Sequence, residues 1–129
     1  MIYPAVRYLL GTALLFFGAN NLIRFLPAHA FPGEAGVLMS AFETSGYVLS
    51  TVGIVQILLA VALLTDHFVP LALLLFAPVL VNIVFFHLFL DPAGIGPALP
   101  VLALTVYLFA YHASAFIHLV KNQGYASVS

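Results

Sequence analysis

The residues of this chain that are best placed to do chemistry are those with carboxamide side chains, because they lie inside long apolar stretches. Asn20 and Asn21 end the first stretch, Gln56 lies in the second and Asn82 in the third. If the stretches are helices, Gln56 and Asn82 lie ~13 Å below the same end of the bundle. Polar groups inside a membrane tend to face protein or water. The pattern predicts a polar pocket, and the alternative is interhelical hydrogen bonding worth ~0.6–2 kcal/mol.

Two basic side chains extend this pocket toward its outer end. Arg24 lies one helical turn beyond Asn20, and His87 lies one turn before Asp91. The alternatives are that Arg24 extends to lipid headgroups and that His87 and Asp91 form an interfacial pair. The predicted ligand-binding set is Asn20, Asn21, Arg24, Gln56, Asn82 and His87. Its apolar walls are expected from Phe16, Phe17, Phe85, Phe86 and Phe89.

Most other chemistry is disfavoured by the composition. The chain has no cysteine, which excludes disulfides, thiol redox chemistry, iron–sulfur clusters and cysteine–zinc sites. His87 and His112 would differ by roughly 12 Å in depth, so a bis-histidine haem is not expected. No nucleophile–base–acid set appears. We therefore predict no catalytic residue, no metal and no resident cofactor, although a quinone could bind as a ligand.

The elements that position these residues are predicted to be membrane helices. Hydrophobic residues make up 64% of the 129 residues and charged residues 5%. About 20 apolar residues span a bilayer, and the backbone there must satisfy its own hydrogen bonds. The prediction is an all-α fold: an integral membrane four-helix bundle forming one domain over residues 1–129. Its helices are expected at residues 4–26, 46–65, 68–90 and 98–120.

The first loop is predicted to hold a short interfacial helix over Glu34 to Phe42, with Val37, Leu38 and Phe42 as its apolar face. Small residues predict helix contacts: Gly11 and Gly18 on the first helix, and Gly46, Ser50 and Gly53 on the second. Residues 28–30 have the form of a signal-peptide cleavage site, but the length of the first apolar run favours a retained helix.

The basic residues favour both termini in the cytoplasm. Arg7 and Lys121 lie at the end of the bundle that carries the termini, and Arg24 lies at the other. With a net charge of −1 and no basic patch, nucleic acid is not an expected partner. The expected partners are the lipid bilayer, redox enzyme subunits or further copies of the chain.

The order of motifs resembles the DoxX family and its DoxX-like relatives, which are small bacterial membrane proteins. The segments that carry the resemblance are residues 18–25 (GANNLIRF), 45–47 (SGY), 53–56 (GIVQ), 78–82 (PVLVN) and 86–92 (FHLFLDP). The resemblance implies four helices in a bacterial inner membrane. Gln56 stands where relatives often carry glutamate, and Asn21 where a basic residue is frequent, so proton-coupled chemistry is not carried over.

The resemblance implies a non-catalytic accessory subunit or anchor for quinone-linked redox processes. The outer pocket would then accept a quinone or an isoprenoid-like ligand. Two alternatives stay open on the residues alone. The first is a small-solute binding or transport protein, and the second is a purely structural membrane partner in which every polar group serves packing.

Overall fold

Six α-helices make up most of the chain in the computed structural model, which describes residues 2–27 and 30–121. The possible signal-peptide cleavage site covers residues 28–30. Of these, Ala30 is described, and residues 28 and 29 lie outside the described ranges. A single 3₁₀ turn, Pro92–Gly94, precedes the fifth helix, and no strand occurs within the described ranges. The helices are α1 Ile2–Ile23, α2 Gly33–Ser45, α3 Val48–Thr65, α4 Val69–Phe89, α5 Ala98–Tyr111 and α6 Ala113–Val120.

Three of these helices, α1, α3 and α4, are long and apolar enough to cross a membrane. A fourth span exists if α5 and α6, which meet at a 65° bend, are counted together. The all-helical fold and the membrane character are therefore confirmed, together with a helix in the first loop. α2 runs from Gly33 to Ser45 and so contains the predicted segment. Within α2, Ala35 is buried against the protein and Val37 is exposed, so the prediction of its apolar face toward the membrane interface stays a prediction.

Glycines bring α1 and α3 into backbone contact, and this is the most extensive helix pair of the fold. A Cβ atom at Gly53 would lie 2.8 Å from the Gly18 carbonyl oxygen, and one at Gly18 would lie 3.0 Å from the Gly53 oxygen. Gly11 is likewise buried, against Leu64. Gly46 instead ends α2 in the left-handed region, at φ 80°. Gly11, Gly18 and Gly53 thus set the separation of the two helices, whereas Gly46 serves as a cap.

A polar cluster ties the helices together at the end where α1 begins and α3 ends. The Tyr3 hydroxyl donates to Asp66 Oδ1 at 2.8 Å and lies 3.1 Å from His112 Nε2. Arg7 is buried, donates from Nη1 to the Leu63 carbonyl at 2.6 Å, and holds its Nε 3.8 Å from Asp66 Oδ1. The cluster therefore connects α1, the end of α3 and the junction of α5 with α6.

The predicted helix over residues 98–120 is interrupted at His112. Neither proline nor glycine occurs at this junction, so a local breaker does not cause the bend. The Tyr3 ring stacks on the Tyr111 ring at 4.0 Å between centroids, with the planes 12° apart. Together with the Tyr3–His112 contact, this packing holds the junction against α1. Tertiary contacts therefore override a sequence that favours one continuous helix.

α4 contains Pro78 and remains one helix. The Asn82 side chain donates from Nδ2 to the Pro78 carbonyl oxygen at 3.0 Å, one turn back on the same exposed face. The spacing of four residues puts Pro78 and Asn82 on one face of the helix. This face points to the outside of the bundle, and this places Asn82 away from the interior.

We expect Gly53→Ala to weaken the fold, because the added methyl group meets a backbone oxygen that cannot rotate away. Overpacking of this kind costs about 1–3 kcal/mol. The measurement is the apparent Tm of the detergent-solubilised protein by size-exclusion chromatography after heating. Gly96→Ala is the matched control, since nothing lies within 4 Å of its added Cβ. Equal Tm values for the two variants would contradict close packing at Gly53.

We also expect Tyr3→Phe to release the bend, because it removes the hydroxyl contact to His112 and keeps the ring. Straightening a helix of eight residues by 65° moves its far end by about 13 Å. Spin labels at Leu71→Cys and Val120→Cys should then show a second distance population. Tyr8→Phe is the control, since no hydrogen bond to the Tyr8 hydroxyl occurs among the described residues. A distance distribution identical to that of the parent would show that the bend is held elsewhere.

Candidate functional site

A partly open cavity of about 480 Å³ lies at the end of the bundle opposite the Tyr3 cluster. Its floor is formed by Leu14 and Phe76, which lie in the middle of α1 and α4, and its rim by residues of α2 and of the loops. Six polar or charged side chains line it among mostly apolar ones: Asn20, Asn21, Arg24, Glu43, Gln56 and His87. A volume of this size and lining is typical of small-molecule sites.

The centre of the polar lining is an amide pair between α1 and α3. Asn21 Nδ2 donates to Gln56 Oε1 at 2.8 Å. This contact follows from the glycine packing, since a Cβ at Gly53 would lie 3.0 Å from the Asn21 Cβ. One amide pair uses one donor and one acceptor, so each side chain keeps hydrogen-bonding capacity. Gln56 is only 5% exposed, and its Nε2 makes no hydrogen bond within the described residues.

The end of α1 shapes one side of the cavity mouth. Asn20 accepts twice: its backbone oxygen from Arg24 N, and its Oδ1 from Leu26 N, each at 2.8 Å. Arg24 takes a left-handed conformation, φ 51°, which turns the chain back over the cavity. Asn20 is therefore a capping residue whose Nδ2 remains a donor. The sequence prediction for Asn20 and Arg24 agrees with their position in the lining.

α2 supplies the other side of the mouth, which the sequence analysis did not include. Met39 and Glu43 lie one turn apart on α2 and both line the cavity. Phe31, just before α2, also lines it and packs edge to face on Phe86 at 5.3 Å. The spacing of Met39 and Glu43 could have indicated a shared face. That this face covers the pocket depends on how the first loop folds back, which no local pattern encodes.

His87 lines the cavity from α4 and contacts Asp91 in the following loop. Its Nδ1 lies 3.4 Å from the Asp91 carbonyl oxygen and 3.6 Å from Asp91 Oδ2. Asp91 is itself buried, at 8% exposure. A Cβ at Gly94 would collide with Asp91 Oδ2, so the 3₁₀ turn packs directly on the carboxylate. The pairing of His87 with Asp91, which was the alternative to a pocket role, is therefore present, and His87 also lines the cavity.

Asn82 is the one predicted site residue that the structure does not bring to the cavity. Its side chain is exposed and bonds to the Pro78 carbonyl. Of the phenylalanines expected in the walls, Phe17 lines the cavity, whereas Phe16, Phe85 and Phe89 are exposed. Phe86 contributes through Phe31. The apolar wall comes instead from other residues, among them Phe31, Phe76, Ile83 and Val101.

The lining can bind and orient a ligand by hydrogen bonds and apolar contact. Donors come from Asn20, Gln56 and Arg24, and Glu43 adds a carboxylate. Within residues 2–27 and 30–121, no three His, Asp, Glu or Cys side chains converge as metal ligands would.

Single cysteines test the orientation of α4, since the chain has no native cysteine. In lipid nanodiscs, Ile83→Cys should react with a charged methanethiosulfonate about tenfold faster than Val81→Cys or Phe85→Cys. The reactive form of a cysteine is the thiolate, which needs contact with water. Ile83 lines the cavity, whereas Val81 and Phe85 face the outside of the bundle. Reaction rates that rise steadily from residue 81 to residue 85 would indicate that depth in the membrane alone controls access to the thiol. Such a result would contradict this orientation of α4.

No protein-family model, curated protein or solved structure matches this chain. The resemblance to DoxX-like proteins therefore stays an expectation from the motifs, and the site is interpreted from its geometry.

Proposed function

We propose that the protein is a DoxX-like multi-pass membrane protein that binds an amphiphile in this cavity. The ligand class is a quinone or an isoprenoid-like molecule, with a polar headgroup against the amide pair and an apolar remainder along the aromatic walls. Sites for such ligands are mostly apolar, with a few placed polar groups. The protein would act as an accessory subunit or anchor for quinone-linked redox processes, without a catalytic set of its own.

The observation that carries this proposal is the state of Gln56. Its side chain is buried, lines the cavity and holds one hydrogen bond to Asn21, while its Nε2 has no partner among the described residues. This nitrogen is not among the fully buried unpaired atoms of the described residues, so it is accessible from the cavity. A ligand oxygen at this point would add a hydrogen bond worth about 0.5–1.5 kcal/mol. Pure interhelical bonding would need only the Asn21–Gln56 contact and no adjoining space.

The membrane arrangement belongs to the same proposal. We infer four spans, with α5 and α6 together forming the fourth, and both termini on the cytoplasmic side of a bacterial inner membrane. Arg7 and Lys121 at one end against Arg24 at the other support that orientation. The cavity then opens toward the outer leaflet, where a redox subunit or a second copy of the chain could reach its ligand.

Replacement of Gln56 by Leu tests the proposal. Purification in native lipid, followed by extraction and mass spectrometry, should recover a quinone or isoprenoid amphiphile with the parent protein. Gln56→Leu should retain roughly fivefold less of it, because one hydrogen bond of about 1 kcal/mol is lost. Asn82→Leu is the matched control, since it also removes an amide from an apolar helix but lies outside the cavity, and its ligand content should equal that of the parent.

Three outcomes would contradict the proposal. Equal ligand content in Gln56→Leu and parent would remove the amide pair from the site. Recovery of no amphiphile from any form would favour a purely structural partner. Flux of a small solute into vesicles that hold this protein alone would favour the transport alternative.

A further inference from the structure

The loop after α4 fixes how His87 presents its ring to the cavity. The two oxygens of Asp91 that approach the ring both lie at Nδ1, at 3.4 and 3.6 Å. Because both are acceptors, a neutral imidazole places its proton on Nδ1 and keeps the lone pair on Nε2. Nε2 makes no hydrogen bond within the described residues. His87 therefore offers the cavity a hydrogen-bond acceptor.

Asp91 is held in this position by the 3₁₀ turn Pro92–Gly94. Gly94 N donates to the Asp91 carbonyl at 3.0 Å, which closes the turn. A Cβ at Gly94 would collide with Asp91 Oδ2 and would lie 3.3 Å from His87 Nδ1. The absence of a side chain at Gly94 thus gives Asp91 the space to face His87. Asp91 and Gly94 are positioning residues, and neither lines the cavity.

The cavity consequently offers a hydrogen-bond donor at one depth and a hydrogen-bond acceptor at another. Gln56 lies eight residues into α3 and offers the donor Nε2, while His87 lies two residues from the end of α4 and offers the acceptor Nε2. The rise per residue places the two side chains roughly 9 Å apart in depth. A ring with polar groups on opposite edges could contact both.

We propose that the cavity prefers the hydroxyl-bearing form of its ligand, a hydroquinone, over the dicarbonyl quinone. This inference rests on the proposed function. One hydroxyl donates to His87 Nε2, and the oxygen on the opposite edge accepts from Gln56 Nε2. A quinone satisfies Gln56 equally well, but it sets a carbonyl oxygen against the His87 lone pair, with no proton between the two acceptors.

The test compares two probes, a short-chain benzoquinone and its hydroquinone, bound anaerobically to the protein in nanodiscs. In buffer in which the ¹⁵N shifts of the His87 ring show a neutral imidazole, the parent should bind the hydroquinone roughly fivefold more tightly, the value of one hydrogen bond. Asp91→Asn should weaken the preference, because it replaces the carboxylate at Nδ1 by a neutral amide and leaves the backbone carbonyl oxygen of residue 91 as the remaining acceptor. The ¹⁵N shifts of the His87 ring should report any proton that moves to Nε2.

Two glycines of the same loop supply a matched pair. Gly94→Ala should reduce the preference by displacing Asp91, with His87 and the lining unchanged. Gly96→Ala should keep it, since nothing lies within 4 Å of its added Cβ. Equal effects of the two substitutions would refute the positioning role of Gly94.

The outcomes separate this inference from the proposed function. Tight but equal binding of both probes by the parent would overturn the preference and leave the proposed function standing. Binding of neither probe would overturn the preference and exclude a quinone as the ligand, and the extraction experiment would then decide between an isoprenoid-like amphiphile and no ligand. A hydroquinone preference of unchanged size in Asp91→Asn, with an unchanged ¹⁵N spectrum, would show that the Asp91 carboxylate does not set the ring proton.

Discussion

The close approach of α1 and α3 is the constraint on which the rest of the structure depends. Gly18 and Gly53 leave the two backbones in van der Waals contact, so side chains beside them meet without extending. Asn21 and Gln56 are the pair that this spacing joins. In a bundle without a hydrophobic drive between helices, such packing and the polar contacts it permits hold the helices together. The cavity exists because α4 and α5 pack less closely against α1 and α3 than α1 and α3 pack against each other.

Polar groups are arranged differently at the two ends of the bundle. At the Tyr3 end, hydroxyl, carboxylate, guanidinium and imidazole contact one another, and the ring stacking of Tyr3 on Tyr111 closes the cluster. At the cavity end, Asn21 and Gln56 share one hydrogen bond, and their remaining polar atoms, Arg24 and Glu43 face a common space. Burial of polar groups is costly unless they are paired. At the Tyr3 end Arg7 Nε makes no hydrogen bond within the described part of the chain but lies 3.8 Å from Asp66 Oδ1. That arrangement is structural, whereas the accessible polar atoms of the cavity leave capacity that a ligand can use.

The depth of a side chain in the bundle could be predicted from the sequence, but the direction in which it points around the helix axis could not. The rise per residue placed Gln56 and Asn21 near one level, and both line the cavity. The same reasoning gave Asn82 a similar depth, yet Asn82 faces outward, because uniformly apolar helices carry no periodic signal for their buried side. Met39 and Glu43 were missed for another reason: their position depends on the path of the first loop. The helix types and approximate bounds of α1, α3 and α4 followed from length and composition.

The bend at His112 shows how a local rule fails in this fold. Residues 98–120 are apolar, hold no internal breaker at the junction and read as one helix. The Tyr3 ring and hydroxyl engage both Tyr111 and His112, and these contacts require the chain to turn toward α1. Helix propensity differs by well under 1 kcal/mol per residue among ordinary residues, and two specific contacts can exceed that. Tyr3 and His112 lie 109 positions apart in sequence, so only the assembled bundle reveals why the helix is broken at His112.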